Sequence, residues 1–131
     1  ASARSTDPVR VEGADFAVVF VTDYPRAVEF YGGTLGLEQS ADYERIPGGE
    51  FETGNLTLQV LDAAAVGREF APSGHPIALR VDDVAAARAE LEAAGVEFLG
   101  ETMDSGVCHQ APFKDPDGNV LILHRRYVTR G

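Results

Sequence analysis

The sequence is poor in cysteine and histidine and contains no long apolar run. It contains one cysteine among 131 residues, so a disulfide within the chain is excluded and a cytoplasmic, reducing location is predicted. No apolar run reaches the roughly 18–20 residues of a membrane span, and no signal-peptide pattern is visible. We therefore expect no membrane partner.

Positive charge is also scarce. Eleven lysines and arginines stand against 21 acidic residues, which gives a formal net charge of −10. Such a chain repels the phosphates of nucleic acids, so no nucleic-acid partner is expected, whereas cationic small molecules are mildly attracted. The glycines do not follow a phosphate-binding spacing, so nucleotide binding is not supported.

The length predicts one domain. Residues 1–12 lack periodicity and are interpreted as an N-terminal tail, which leaves residues 13–131 as the single domain.

The domain contains one pattern written twice. A β-rich run at 16–21 is followed by the capping residue Asp23, by Pro25 in the first helical turn and by a helix ending near Gly36. A second run at 77–81 is followed by Asp83 and by a helix ending at Gly95. Val21, Asp23 and Ala27 recur as Val81, Asp83 and Ala87, each at an offset of sixty positions.

Each predicted helix is followed by three strand-like runs separated by turn residues. These runs are 39–46, 50–53 and 56–61 in the first copy and 96–102, 107–113 and 120–127 in the second. The pattern predicts an α+β fold of two tandem βαβββ units, repeat 1 at 14–62 and repeat 2 at 75–128, joined by a linker at 62–74. We expect a curved mixed sheet around a central cavity, with the helices on the convex side.

Three segments carry a family resemblance: FVTDYPRAVEFYGGTLGLE, HPIALRVDDVAAARAELEAAGVEF and DPDGNVLIL. With them the chain resembles the vicinal oxygen chelate superfamily, which includes glyoxalase I, extradiol dioxygenases and bleomycin-resistance proteins. The resemblance covers roughly residues 14–127. It implies a homodimer whose cavities lie at or near the interface.

The resemblance also implies where a metal would be bound. In metal-dependent members of the superfamily, four residues bind the metal. The corresponding positions in this chain are Phe16, Gln59 (or Thr57), Pro76 and Ile122. Phenylalanine, proline and isoleucine side chains cannot ligate a divalent cation, and His75 lies one residue from the expected place. We therefore predict no metal, no other cofactor and no catalytic residue.

Strand alternation predicts which side chains face the cavity. The predicted ligand-binding residues are Phe16, Phe20, Gln59, Arg80, His109, Phe113, Ile122 and His124. If the Asp-Pro-Asp-Gly turn closes a regular hairpin, His109 pairs with His124 and shares its face with Phe113, while Cys108 faces the helix.

Three interpretations of the histidine pair stay open. The rings are polar residues at the open end of a sheet, anchors in an aromatic pocket, or part of a non-standard metal or acid–base site. Arg80 either binds an oxygen of a ligand or pairs with a glutamate of the protein.

The sequence favours a metal-free small-molecule-binding protein of the bleomycin-resistance type, which sequesters an aromatic or cationic ligand such as an antibiotic. The alternative is a metal-dependent glyoxalase-like lyase or isomerase, or a dioxygenase, with the non-standard ligand set His75, His109, His124 and Gln59. A regulatory module with a vestigial cavity is the third hypothesis.

Overall fold

The computed structural model of the chain describes residues 9–129, so most of the predicted tail 1–12 lies outside the described residues. The described residues form two βαβββ units, and the predicted α+β fold is confirmed. Among residues 9–129, no helix combines the length and the apolar character needed to cross a membrane.

The first unit forms a four-stranded sheet in the order β1-β4-β3-β2. Its elements are β1 Phe16–Val21, α1 Tyr24–Val28, β2 Glu38–Asp42, β3 Gly48–Glu52 and β4 Thr57–Asp62. The first strand runs parallel to β4, and the other neighbours are antiparallel.

The second unit repeats this order as β5-β8-β7-β6. Its elements are β5 Ile77–Arg80, α2 Val84–Ala93, β6 Met103–Asp104, β7 Cys108–Lys114 and β8 Val120–Arg126. The predicted strand at 96–102 is wrong, because only an isolated bridge between Phe98 and Phe113 forms there. Gly100 adopts a φ of 79°, which breaks the extended run before β6.

Both helices begin at the predicted caps. The Asp23 carboxylate accepts a hydrogen bond from the Arg26 amide at 3.1 Å, and Asp83 does the same for Ala86 at 3.0 Å. After α1 the chain continues as a π-helical segment, Glu29–Thr34, before Gly36 ends it with a φ of 71°.

The core lies on the helix side of the two sheets. Val19 and Val21 of β1 are 3% and 1% exposed, whereas Phe16 on the other face is 52% exposed. Aromatic rings connect the two units, since the ring centroids of Phe30 and Phe113 lie 6.5 Å apart. This arrangement leaves the opposite faces of both sheets outside the core.

A buried polar cluster also connects the units. Asp115, in the loop between β7 and β8, accepts hydrogen bonds from the Tyr31 hydroxyl and the Asn119 side-chain amide, both at 2.8 Å. The Asn119 amide also donates to the Phe20 carbonyl oxygen at 2.9 Å. Burial, followed by the Asp115 charge, raises the pKa of Tyr31, so its hydroxyl remains a donor. The loop therefore holds β1 in place.

Gly49 gives a prediction about stability. The sequence placed it in a turn, but it lies buried inside β3, where an added Cβ would sit 2.5 Å from the Ala41 carbonyl oxygen. We expect Gly49→Ala to lower the free energy of unfolding by about 2 kcal/mol, because β2 must shift. Urea denaturation measures the change. Gly33→Ala is the control, since a Cβ there meets nothing within 4 Å; equal losses in both variants would refute the explanation.

Candidate functional site

The open face of the N-terminal sheet carries the first group of candidate residues. Phe16 lies beside Thr57, and Val18 lies beside Gln59, across the parallel β1–β4 pair. On the far side of β4, Gln59 is opposite Glu50. Phe16 and Val18 are 52% and 41% exposed, so the side-chain alternation predicted for β1 is present in the structure.

A hydrogen-bonded chain of polar groups crosses this face. The Gln59 amide donates to the Tyr43 hydroxyl at 2.9 Å, and that hydroxyl donates to the Glu50 carboxylate at 2.5 Å. Partial burial, together with the bond to Glu50, raises the pKa of Tyr43. The chain fixes the directions of both the Gln59 and Glu50 side chains.

The carboxylate of Glu52 is also held in place, on the same strand as that of Glu50. Glu52 accepts hydrogen bonds from the Ser40 hydroxyl and, at 2.6 Å, from the Thr57 hydroxyl. These bonds lower the pKa of Glu52, so it stays ionised at neutral pH. Sequence reasoning missed Tyr43, Glu50 and Glu52. The alternation Glu50-Phe51-Glu52-Thr53, with polar residues in phase with Thr57 and Gln59, was the available signal.

Four of these residues, together with Asp15, line a small open pocket of about 210 Å³. The pocket is lined by Asp15, Phe16, Glu50, Thr57 and Gln59. An aromatic ring on one side and carboxylate and amide groups on the other suit a flat ligand that carries a cation or hydrogen-bond donors. Nearby on the same strand face, Phe20 lies beneath the Arg68 guanidinium, 4.8 Å from the ring centroid to Cζ.

The C-terminal sheet carries the second group on its open face. Arg80 of β5 lies beside His124 of β8, and His124 is opposite Gln110 of β7. One row further along, Ile122 lies between Ala78 and Pro112. Arg80 and His124 also line a larger cleft of about 970 Å³ that follows β5.

The predicted pairing of His109 with His124 is wrong. His109 is opposite Arg125, and Gln110 is opposite His124, because Lys114 and Val120 are the last paired residues before a loop of residues 115–119. The prediction implied a loop one residue shorter, 115–118, with Asn119 in the strand. A one-residue change in register moves every side chain of the strand to the other face.

His109 and Phe113 therefore leave the candidate site. His109 lies on the opposite face from His124, where Nε2 is 3.2 Å from the Asp104 carboxylate and the ring is 4.8 Å from that of Tyr127. Phe113 is fully buried in the core, 5.4 Å from Phe98. Cys108 is buried as predicted, but by register it shares the face of Gln110 rather than the helix side.

The remaining candidates do not line one cavity. Phe16 and Gln59 line the small pocket on the first sheet, whereas Arg80 and His124 line the larger cleft on the second. Within residues 9–129, no three His, Cys, Asp or Glu side chains are grouped so that they could hold a metal ion. His75 lies exposed just before β5.

Comparison with known proteins identifies relatives over nearly the whole chain. The family model of the Glyoxalase/Bleomycin resistance protein/Dioxygenase superfamily matches residues 13–123. The uncharacterized protein YetH of Bacillus subtilis (strain 168) is 30% identical over 111 residues, which cover 80% of this chain and 91% of YetH.

Two similar crystal structures come from Streptomyces sp. CB03234. One is TnmS3, an antibiotic binding protein, with 28% identity and a TM-score of 0.75 over 91% of this chain and 99% of TnmS3. The other is a glyoxalase/bleomycin resistance protein, with 31% identity and a TM-score of 0.68 over 87% of this chain and 100% of that protein.

Proposed function

Because the chain belongs to the Glyoxalase/Bleomycin resistance protein/Dioxygenase superfamily, we propose that residues 13–131 act as one metal-free domain of the bleomycin-resistance type, which sequesters an aromatic or cationic small molecule such as an antibiotic. The small pocket beside Phe16 is the observation that carries the proposal. It combines an exposed ring with the fixed polar groups of Glu50 and Gln59.

The ligand class follows from the chemistry of this pocket. A planar aromatic group stacks on Phe16, and a cationic group is attracted to Glu50 and to the negative charge of the chain as a whole. The similarity to TnmS3, an antibiotic binding protein, supports an antibiotic as the ligand.

We also propose that the protein acts as a homodimer. The exposed apolar side chains Phe16 and Val18 lie on β1, at the edge of the first sheet. Exposed apolar residues on an edge strand favour association. A second chain placed along this edge adds a wall to the open pocket.

A thermal-shift screen tests the binding proposal. Bleomycin and ethidium serve as cationic probes, and a neutral polycyclic aromatic serves for comparison, each with and without EDTA. At a hundredfold excess over Kd, binding stabilises the folded state by about 2.7 kcal/mol. Binding that is lost in EDTA would contradict the metal-free proposal and favour the metal-dependent alternative.

Phe16→Ala tests the position of the ligand. Removing the ring eliminates stacking and apolar contact, so we expect roughly tenfold weaker binding of the cationic probe that stabilises the protein most. Titration calorimetry measures the affinity. Tyr127→Ala is the matched control, because Tyr127 is 48% exposed but does not line the pocket. An equal loss in the control would place the ligand elsewhere.

A further inference from the structure

The open face of the first sheet carries opposite charges toward its two ends. Where β1 begins, the carboxylates of Asp15 and Glu50 line the small pocket beside Phe16. Toward the other end of β1, the guanidinium of Arg68 lies over the Phe20 ring, with Cζ 4.8 Å from the ring centroid. Phe16 and Phe20 are four residues apart on this strand, which corresponds to roughly 13 Å. The face is therefore electrostatically asymmetric along the strand.

The backbone fixes Arg68 above this face. After β4, the Ala63 amide donates to the Val21 carbonyl oxygen at 3.0 Å, which connects the start of the linker to the end of β1. Gly67 then turns the chain with a φ of 74°, and the Arg68 amide donates back to the Ala63 carbonyl oxygen at 2.9 Å. The position of Arg68 thus follows from a short, hydrogen-bonded turn.

The Arg68 guanidinium keeps its capacity to bind an oxygen. Within residues 9–129 its side chain forms no ion pair and no hydrogen bond, and the Asp62 carboxylate in the same turn instead accepts from the Ala65 amide at 3.1 Å. One ring does not occupy all the N–H donors of a guanidinium, and their forked arrangement matches a carboxylate. Arg68 also closes the Phe20 ring to a cationic group of a ligand, because like charges repel.

We propose that Arg68 is a specificity-determining residue that selects aromatic zwitterions, in which a planar ring system carries a cationic group and, several ångströms away, a carboxylate. The ring system lies along Phe16 and Val18, the cationic group is attracted to Glu50, and the carboxylate binds to Arg68. This inference rests on the proposed function, because it concerns the ligand of the same face. It adds that a ligand with a second cationic group at the Arg68 end is rejected.

The net charge of the chain favours the opposite preference. With a formal net charge of −10, the chain attracts a cation more strongly than a zwitterion of the same skeleton. A local cation at the ligand's carboxylate reverses this order. The preference between a dye with a free carboxylate and the methyl ester of that dye therefore separates the effect of Arg68 from the general field.

A matched pair of dyes tests the proposal. The first is a rhodamine with a free carboxylate, a zwitterion at neutral pH, and the second is its methyl ester, a cation. Fluorescence anisotropy at constant ionic strength measures both affinities. We expect the unmodified protein to bind the free acid about tenfold more tightly than the ester. In Arg68→Gln this preference should disappear, while the ester binds at least as tightly as before because Phe20 is uncovered. A misfolded variant would weaken both dyes.

Two control variants locate the effect. Arg45→Gln removes an exposed arginine between β2 and β3 that does not line the pocket, so the tenfold preference should remain. Phe16→Ala should weaken binding of both dyes, because both stack on this ring.

Each result decides the proposal. Equal affinities for the two dyes, or tighter binding of the ester, in the unmodified protein would overturn the inference and leave the proposed function standing. A preference for the free acid that persists in Arg68→Gln would also overturn it, since another group would then bind the carboxylate. If neither dye binds while ethidium does, the inference alone fails. If no aromatic cation binds, the proposed function fails as well.

Discussion

Asp115→Ala is expected to lower the free energy of unfolding by about 3–5 kcal/mol. The Asp115 carboxylate is 5% exposed and accepts four hydrogen bonds. The donors are the Tyr31 hydroxyl, the Asn119 side chain and the backbone amides of Asp117 and Asn119. Alanine leaves these groups without their acceptor, and the buried Tyr31 hydroxyl has no access to water. Chemical denaturation monitored by circular dichroism measures the loss.

Two further variants separate the buried network from a general charge effect. Asp82→Ala removes an exposed carboxylate and should change stability by less than about 0.5 kcal/mol. Tyr31→Phe removes one donor while Asp115 keeps three others, so about 1 kcal/mol is expected. If Asp115→Ala costs no more than Asp82→Ala, the loop does not hold the two units together.

The network gives the loop between β7 and β8 a role beyond reversing the chain. Asn119 connects the loop to the Phe20 carbonyl oxygen, while Asp117 accepts hydrogen bonds from Thr22 and, at 2.7 Å, from Arg26. The loop of the second unit therefore fixes the end of β1, the strand that carries Phe16. The sequence identified the turn through its Pro and Gly residues, but a contact across nearly a hundred positions has no local signal.

Much of the fold could be predicted because its determinants are local. The capping residues Asp23 and Asp83 act within one helical turn. Because the same strand–cap–helix pattern recurs sixty positions later, the prediction of these elements in one unit supports their prediction in the other. The faces of β1 followed from alternation, since its helix-facing valines are buried and Phe16 is exposed.

The register of the last hairpin could not be predicted in this way. The Asp-Pro-Asp-Gly motif fixes the turn, but whether Asn119 belongs to the loop depends on its bonds to Asp115 and Phe20. A loop that is one residue longer or shorter moves every side chain of β7 to the opposite face of the sheet. This is why His109 and Phe113 were predicted on the wrong face. Glu50 could not be found from the resemblance, because the ligand positions that it implies lie on the first and last strands of each unit and Glu50 lies on β3.

The corrected faces have opposite electrostatic character. Asp15 and Glu50 line the pocket of the first sheet and Glu52 lies on the same strand as Glu50, whereas the charged residue Arg80 lies on the open face of the second sheet. A cation is attracted to the first face and repelled by the second. Of the two faces, the one around Glu50 is therefore the place where a cationic ligand would bind.

Glu50→Lys is accordingly expected to weaken binding of the cationic probe that stabilises the protein most by about 30–100-fold. The substitution removes an attraction and adds a repulsion at the same place, and each is worth about 1–1.4 kcal/mol in a partly open pocket. Titration calorimetry at constant ionic strength measures the affinity. Glu50→Gln removes only the attraction, so it should weaken binding by about tenfold and retain the hydrogen bond from Tyr43.

Glu38→Lys is the matched control for net charge. Glu38 is exposed on β2 of the same sheet but does not line the pocket, so its reversal changes the charge of the chain equally. We expect less than a threefold change in affinity, because Glu38 lies two strand spacings from Thr57, roughly 10 Å, where solvent and salt screen an exposed charge. If Glu38→Lys and Glu50→Lys weaken binding equally, the cation is attracted by the general field of an acidic protein. If neither variant weakens binding, the cationic group of the ligand does not lie in the Phe16 pocket.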